Sequence, residues 1–279
     1  MGQFSKMDEK VLIRQGKPIK CLGLTFYPIQ MCHYEEFLKC KNALAVRLST
    51  LPVKYAIKDY INAIFTLEMD SVKEGKQTGG ILIRILTLLK LSLRIDSFYE
   101  DKDKNFFEEC VRFIQPDNET IEIESFILTQ ENEKVEISVV DFSTKIRTLI
   151  ARQNGIELPD ENENADLIQS QQEMEEMKTS AVKLNQSTDT LISSVAYNSR
   201  ISEREIYDWT ILEFENRRKA IERDKKYTLY AQAEMGGMVS FKKGNPYPSW
   251  CFDVIDDTAG TITLSEMQEK TKGISIKEQ

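Results

Sequence analysis

The only histidine in the chain, His33, limits acid–base and nucleophilic chemistry more than any other residue. A Ser-His-Asp or Cys-His mechanism uses an imidazole to accept and return a proton, so each would depend on this one side chain. His33 lies between Cys32 and Tyr34 at the start of a predicted helix, outside any catalytic motif. We therefore interpret His33 as a structural residue and expect a non-enzymatic protein with no catalytic residues.

The cysteines near His33 are the other residues whose types suggest chemistry, because Cys21, Cys32 and Cys40 could serve with it as metal ligands. Zinc modules place two ligands two to four residues apart, whereas Cys32 and His33 are adjacent and would struggle to reach one ion together. The chain has 5 cysteines, an odd number, and no CxxC pair, which is unlike a disulfide framework. We expect buried thiols, with no metal and no cofactor.

A glycine-rich stretch at residues 74–80, EGKQTGG, is the one cue for phosphate binding, because it leads into a predicted helix whose N-terminal amides would face an anion. The Walker pattern requires a glycine five residues before its Gly-Lys pair and Ser or Thr after the lysine. The chain has Asp70 and Gln77 at those positions. We predict a flexible loop, and an enzyme acting on nucleotides or phosphate esters stays the lesser alternative.

Large aromatic side chains in the C-terminal part are the candidate partner-binding residues. They are Tyr207, Trp209, Phe214, Tyr227, Tyr230, Phe241, Tyr247 and Trp250. On a helix they are too many for an isolated exposed rod, so they pack on the domain itself or on another chain. Pro246 and Pro248 exclude a helix from residues 241–253, and extended aromatic segments dock into grooves or onto sheet edges. Packing of this segment against its own helix stays an open alternative.

The charge balance argues against nucleic-acid and membrane partners. The 279 residues carry a formal net charge of -8, which repels phosphate backbones, and acids interleave with the basic cluster at residues 217–226. The most apolar run, residues 81–95, is shorter than the roughly 20 residues of a membrane span, and its charged residues line one side of a helix. The N-terminus lacks the apolar stretch of a secretory signal, so we expect a cytoplasmic protein.

The N-terminal residues predict an α+β domain that is mainly helical and ends near residue 156. A turn at residues 16–18 suggests a hairpin over residues 11–29. Helical spacing predicts helices over residues 31–48, 53–69 and 81–95, with a loop at residues 71–80 before the last. In the second helix one face is predicted to be buried; it consists of Val53, Ile57, Tyr60, Ile61, Ile64 and Leu67.

A change of period then predicts a small antiparallel sheet from residues 111–115, 121–129 and 135–140, which are rich in β-branched residues. A helix follows, with an N-cap at Asp141 and a stop at Asn154-Gly155. Residues 157–200 are predicted to be an acidic linker or a solvated helix. Residues 201–279 form a C-terminal part, in which a long helix begins at a capping box, Ser202 to Glu205, and an extended aromatic tail follows Gly236-Gly237.

Two stretches of the chain resemble accessory proteins in the tail modules of tailed phages and prophages of Gram-positive bacteria. They are residues 26–65, FYPIQM through AIF, and residues 189–253, DTLISS through WCFD. The nearest kind is the tail assembly chaperone, which precedes the tape measure protein in such modules. The second stretch carries Ser202-Glu203-Arg204-Glu205-Ile206, then Asp208-Trp209-Thr210 and a long charged helix that ends in a small-residue turn.

This resemblance implies a non-enzymatic assembly protein, a chaperone or scaffold that binds a helical tape measure protein or tail tube subunits. The β-rich residues 111–140 leave a second reading open, a stoichiometric structural component of a phage tail or baseplate. The expected location is the host cytoplasm for a chaperone and the virion tail for a component. A homo-oligomer stays open in both.

Overall fold

A computed structural model describes residues 6–76, 79–95, 110–116, 121–130, 133–161, 187–237 and 249–251, which fall into two compact units, Met1–Arg218 and Lys219–Gln279. The first unit contains α1 (Lys6–Arg14), β1 (Ile19–Cys21), β2 (Leu24–Phe26), α2 (Tyr34–Cys40), α3 (Val53–Ala56), α4 (Tyr60–Lys73), α5 (Ile81–Leu93), β3 (Val111–Ile114), β4 (Glu122–Gln130), β5 (Glu133–Ser138), α6 (Val139–Asp141), α7 (Arg147–Asn154), α8 (Thr188–Ser199) and α9 (Glu203–Ile206). Helix α10 (Ile211–Met235) begins in the first unit and continues into the second. The predicted class, mixed α/β and mainly helical with small antiparallel sheets, is confirmed.

The N-terminal hairpin exists, but its turn differs from the predicted one. Strands β1 and β2 pair with Cys21 opposite Leu24, so the turn is Leu22-Gly23, and both of these residues have positive φ. Positive φ at both central residues matches the right-handed twist of a two-residue hairpin, which Gly23 permits without strain. The prediction that residues 16–18 form the hairpin turn is wrong, because Gly16 instead follows the end of α1.

The helix predicted over residues 53–69 is two helices, α3 and α4. Asp59 between them has extended backbone. Its carboxylate accepts a hydrogen bond from the backbone N–H of Asn62 at 3.1 Å, and this bond caps α4. An aspartate that caps the following helix cannot also continue the preceding one. Val53 and Ile57, predicted to lie on the buried face, are therefore 76% and 78% exposed, whereas Tyr60, Ile61 and Ile64 are buried as predicted.

The helix predicted over residues 31–48 is likewise interrupted. Its α-helical part is α2 alone, flanked by 3-10 turns at Met31–His33 and Lys41–Leu44. Residues 45–47 are not helical, and a further 3-10 turn covers Leu48–Thr50. The prediction of helix α5, by contrast, is confirmed to within two residues of its C-terminal end.

The predicted three-stranded antiparallel sheet is confirmed, in the order β3-β4-β5. Asn62 joins α4 to β4, because its amide donates to the Ile123 carbonyl at 3.0 Å and accepts from the Ile123 N–H at 2.8 Å. After β5 the helical stretch starts at Ser138, whose hydroxyl accepts from the Asp141 N–H, so Ser138 and not Asp141 is the N-cap. A π-helical segment, Phe142–Ile146, leads into α7, which Gly155 ends with φ 68° as predicted.

Residues 26–31 run from the last residue of β2 to the first residue of the 3-10 turn at Met31–His33, and we call them the 26–31 segment. Side chains at the end of α7 bind its backbone: Gln153 donates to the Phe26 carbonyl at 3.1 Å, and the Asn154 carbonyl oxygen accepts from the Ile29 N–H at 2.8 Å. Backbone groups of three further residues complete the set: Ser92 accepts from Tyr27, Trp209 accepts from Met31, and Ile211 donates to Ile29. This segment therefore connects α5, α7 and the start of α10.

The Ser202 half of the predicted capping box is confirmed, since the Ser202 hydroxyl oxygen accepts from the Glu205 N–H at 3.3 Å, while the Glu205 carboxylate accepts from the Ser202 hydroxyl at 3.0 Å. Its helix is only α9, however, and residues 207–210 separate it from α10, which ends at Met235 as predicted. Residues 187–218 belong to the first unit, whereas the sequence suggested a linker at 157–200 and a C-terminal part at 201–279. The acidic residues 162–186 and most of the aromatic tail lie outside the described residues.

We predict that Asn154→Ala lowers the free energy of unfolding by about 1–3 kcal/mol, because it leaves the buried Ile29 N–H without an acceptor. Asn198→Ala is the matched control, since both asparagines donate to the carbonyl four residues earlier but Asn198 is exposed. The control is expected to change the free energy by about 0.5 kcal/mol or less. Urea unfolding measures both, and equal losses would contradict the assigned role of Asn154.

We also predict that Gly155→Ala is more destabilising than Gly75→Ala, although both glycines have φ near 68°. Positive φ alone costs an alanine about 1–2 kcal/mol. A Cβ on Gly155 would lie 3.1 Å from Leu212 Cδ1, whereas one on Gly75 meets nothing within 4 Å. Overpacking adds about 1–3 kcal/mol. Thermal unfolding of the two variants tests this, and equal melting temperatures would refute close packing of α10 against the end of α7.

Candidate protein-binding surface

Two of the residues whose types suggested chemistry, His33 and Lys76, each lie near an acidic side chain. His33 ends a 3-10 turn with its side chain partly exposed, and its Nδ1 lies 4.0 Å from Glu36 Oε2. In the glycine-rich loop Lys76 Nζ lies 2.6 Å from Glu74 Oε2, an ion pair that raises the pKa of Lys76. Among the residues described, no group of three or more His, Cys, Asp or Glu side chains is placed to hold a metal ion.

Three of the eight predicted partner-binding residues lie in the first unit, in different environments. Phe214 is fully buried, with its ring edge-on to Tyr34 at a centroid distance of 5.6 Å. Its assignment as a partner-binding residue is therefore wrong, because the first turns of α10 pack against α2. Trp209 is half-buried with the Arg217 guanidinium 5.8 Å from its ring, and Tyr207 is 43% exposed.

The other five predicted residues lie in the second unit. Tyr227 and Tyr230 are half-buried on α10, and Trp250 is 63% exposed. Phe241 and Tyr247 lie outside the described residues. Partner binding by these five residues stays a prediction.

Ion pairs one helical turn apart lie along α10. Glu222 pairs with Lys226 at 2.9 Å. Glu215 pairs with Arg218 at 2.8 Å. It also accepts a hydrogen bond from the Tyr34 hydroxyl at 3.0 Å. Burial raises the pKa of Tyr34, and the negative charge of Glu215 raises it further. Glu215 is thereby tied to α2, which explains why its carboxylate does not reach farther along α10.

Other exposed apolar side chains of the first unit lie on or directly beside α3, α4, β3 and β4. We call them the apolar surface: Val53, Ile57, Met69, Val72, Phe113, Ile114 and Ile121. Specific contacts join these elements. The Phe113 ring of β3 lies 5.6 Å from that of Phe65 on α4. Lys58, two residues after the end of α3, reaches Glu122 at the start of β4 at 2.6 Å.

Charged residues surround these apolar side chains. The Asp70 carboxylate on α4 accepts from Lys54 at 2.8 Å and from the Tyr55 hydroxyl at 3.0 Å, so it binds both neighbours on α3. The Lys54 hydrogen bond, with that of Tyr55, lowers the pKa of Asp70. Apolar side chains rimmed by polar ones are typical of protein-interaction sites. Apolar area beside charged side chains that are held by ion pairs suits this surface to binding a protein.

The pattern of β3 explains why the sequence did not reveal this surface. The register shifts between Arg112 and Phe113, and a bulge of this kind breaks the alternation of side chains along a strand. Phe113 and Ile114 are consecutive and both are exposed. A regular strand with one buried face would bury one of these two residues. The run of two consecutive apolar residues was therefore the feature of the sequence that could have indicated this surface.

Comparison of the chain with family models, with curated proteins and with solved structures found no match. No helix within the described residues is long and apolar enough to cross a membrane.

We predict that Phe214→Ala lowers the free energy of unfolding by about 3–5 kcal/mol, because it removes a fully buried ring. Tyr207→Ala, at an exposed position directly after the end of α9, is expected to lower it by about 0.5 kcal/mol or less. Urea unfolding of the two variants and the unchanged chain measures both free energies. A small loss for Phe214→Ala would contradict its place in the core.

Proposed function

We propose that this protein is a non-enzymatic phage tail assembly protein that binds an apolar segment of a protein partner through the apolar surface. The observation that supports this most is the exposure of Val53 and Ile57 beside the exposed Met69 and Val72 of α4. Burying one such side chain stabilises a complex by about 1.5–3 kcal/mol. Leaving several in water is unfavourable unless a partner covers them.

The partner class comes from the resemblance to tail assembly chaperones. Residues 26–65, which carry part of that resemblance, include α3 and the first half of α4. An amphipathic helix presents apolar residues at three- and four-residue spacing and lies in apolar grooves of its partners. A helical tape measure protein offers such faces, and tail tube subunits are the second client that the resemblance implies. A chaperone or scaffold of this kind would act in the host cytoplasm.

A stoichiometric structural component of a tail or baseplate is the second candidate. Trp250 is 63% exposed at the one described part of the aromatic tail, and it favours insertion of this tail into a neighbouring subunit. Mass spectrometry of purified particles separates the candidates, because a chaperone is absent from finished virions and a component is present.

The proposal predicts that Val53→Glu weakens capture of the tape measure protein encoded in the same gene cluster by at least about tenfold, since a charge would enter an apolar contact. Glutamate in the first turn of α3 is compatible with the helix dipole, so folding is retained. Val11→Glu is the control, because Val11 is also exposed, at 48%, but lies on α1. Co-expression followed by quantitative co-purification provides the measurement.

Two results would count against binding through the apolar surface. One is equal capture by Val53→Glu and the unchanged chain. The other is an equal loss for Val53→Glu and Val11→Glu, which would indicate a general effect of added negative charge. A thermal unfolding scan of each variant accompanies the assay, so that loss of folding is recognised separately.

A further inference from the structure

A cavity of about 250 Å³ opens on the first unit where the 26–31 segment meets the C-terminal end of α5. The 26–31 segment and α5 supply its apolar wall, with Pro28 and Ile29 on one side. Its polar lining consists of Gln30, His33, Lys90 and Arg94. Among these lining residues, all of them described, three carry nitrogen groups that are cationic or can become so, and none is acidic.

The walls of this cavity are held in place before any ligand enters. The Tyr27 N–H donates to the Ser92 carbonyl at 2.7 Å and ties the 26–31 segment to α5. On the other side Ile29 is held by Asn154, and Gln30 pairs with Thr210 in an isolated β-bridge. A site whose walls are already ordered avoids much of the conformational entropy that binding would otherwise cost.

The exposed Arg94 contacts the 26–31 segment through its side chain. Its guanidinium lies 4.4 Å from the centre of the Tyr27 ring, a cation–π contact, and its backbone adopts the left-handed conformation that ends α5. Lys90 lies one turn earlier on the same helix. Cations near the C-terminal end of a helix complement the helix dipole, which accounts for Lys90 and Arg94. The dipole of α5 does not account for His33 and Gln30, which line the same cavity from outside that helix.

We propose that this cavity binds a small oxyanion, the phosphate or carboxylate group of a small molecule. Arginine and lysine nitrogens donate charge-assisted hydrogen bonds to such groups, and the amide of Gln30 and the imidazole of His33 are further donors. The chain carries a net charge of -8, so a cavity lined with basic residues has the opposite charge to the molecule as a whole. At about 250 Å³ the cavity is smaller than the usual 300–1,000 Å³ of drug-sized sites and suits one small ligand.

The site is separate from the apolar surface, so the two proposals can fail independently. The apolar surface lies on or directly beside α3, α4, β3 and β4, whereas the cavity is lined by the 26–31 segment, His33 and the C-terminal end of α5 with the two residues after it. The carboxylate of Glu36 lies 4.0 Å from His33 Nδ1, and Glu36 is not among the residues that line the cavity.

The single histidine provides the experiment, because its ring resonances need no assignment in the untagged full chain. Inorganic phosphate and acetate are titrated in separate arms at constant pH and ionic strength, with sodium chloride as the reference salt. We expect a saturable shift of the His33 signals with phosphate, with acetate or with both. Saturation with phosphate alone assigns the phosphate class, with acetate alone the carboxylate class, and with both a general oxyanion site.

Variants of α5 connect the shift to this cavity. Arg94→Gln removes a lining cation and is expected to raise the apparent Kd at least about tenfold. Arg84→Gln removes the same charge from an exposed position on the same helix, outside the cavity, and is expected to leave the Kd within about twofold. If Arg94→Gln lowers the melting temperature, Lys90→Gln provides the same test from the preceding turn.

Two outcomes would overturn the proposal. A shift that follows ionic strength and does not saturate with phosphate or acetate would exclude a defined site. Equal weakening by Arg94→Gln and Arg84→Gln would assign the effect to the general field of the helix and not to the cavity.

Discussion

The backbone hydrogen bonds of residues 26–31 are the constraint on which most of the first unit depends. Between Phe26, which ends β2, and Met31, which begins a 3-10 turn, these residues belong to no helix and no named strand, yet the segment is buried at Phe26, Ile29 and Met31. Buried backbone groups must find partners, and these partners come from α5, from the end of α7 and from residues 209–211. Pro28 contributes no N–H and so needs one partner fewer. Segments as far apart in sequence as Ile29 and Asn154, 125 residues, are thereby brought together.

The same arrangement decides which apolar side chains remain available for a partner. Docking of residues 209–211 on the 26–31 segment brings the start of α10 against α2, so Phe214 becomes part of the core. The aspartate cap at Asp59 has the opposite effect on α3, because it turns Val53 and Ile57 away from the face that α4 buries. The surface proposed to bind clients is thus a consequence of one helix cap and one strand bulge, and not of an unusually apolar stretch of sequence.

The proposed oxyanion site follows from the 26–31 segment as well. Its course leaves a gap beside the last turn of α5, and the chain lines that gap with Lys90, Arg94 and His33. An acidic protein repels anions at long range, but at contact distance the nearest charges dominate because salt screens the distant ones within about 10 Å. A small anion and a protein client would then engage different faces of one unit.

Local patterns in the sequence determined the elements whose signals are local. The spacing of apolar residues in α5, the β-branched runs of the sheet, Gly155 after α7 and the Ser202 capping box were all predicted, since each depends on residues within one or two turns or strands. Tertiary structure decided what these patterns leave open. Whether Phe214 faces a partner or the core depends on Tyr34, 180 residues away along the chain, and the cavity exists only where residues 28–33 meet α5. Contacts of this kind are made by packing and by the need to satisfy buried backbone groups, and neither leaves a periodic trace in the sequence.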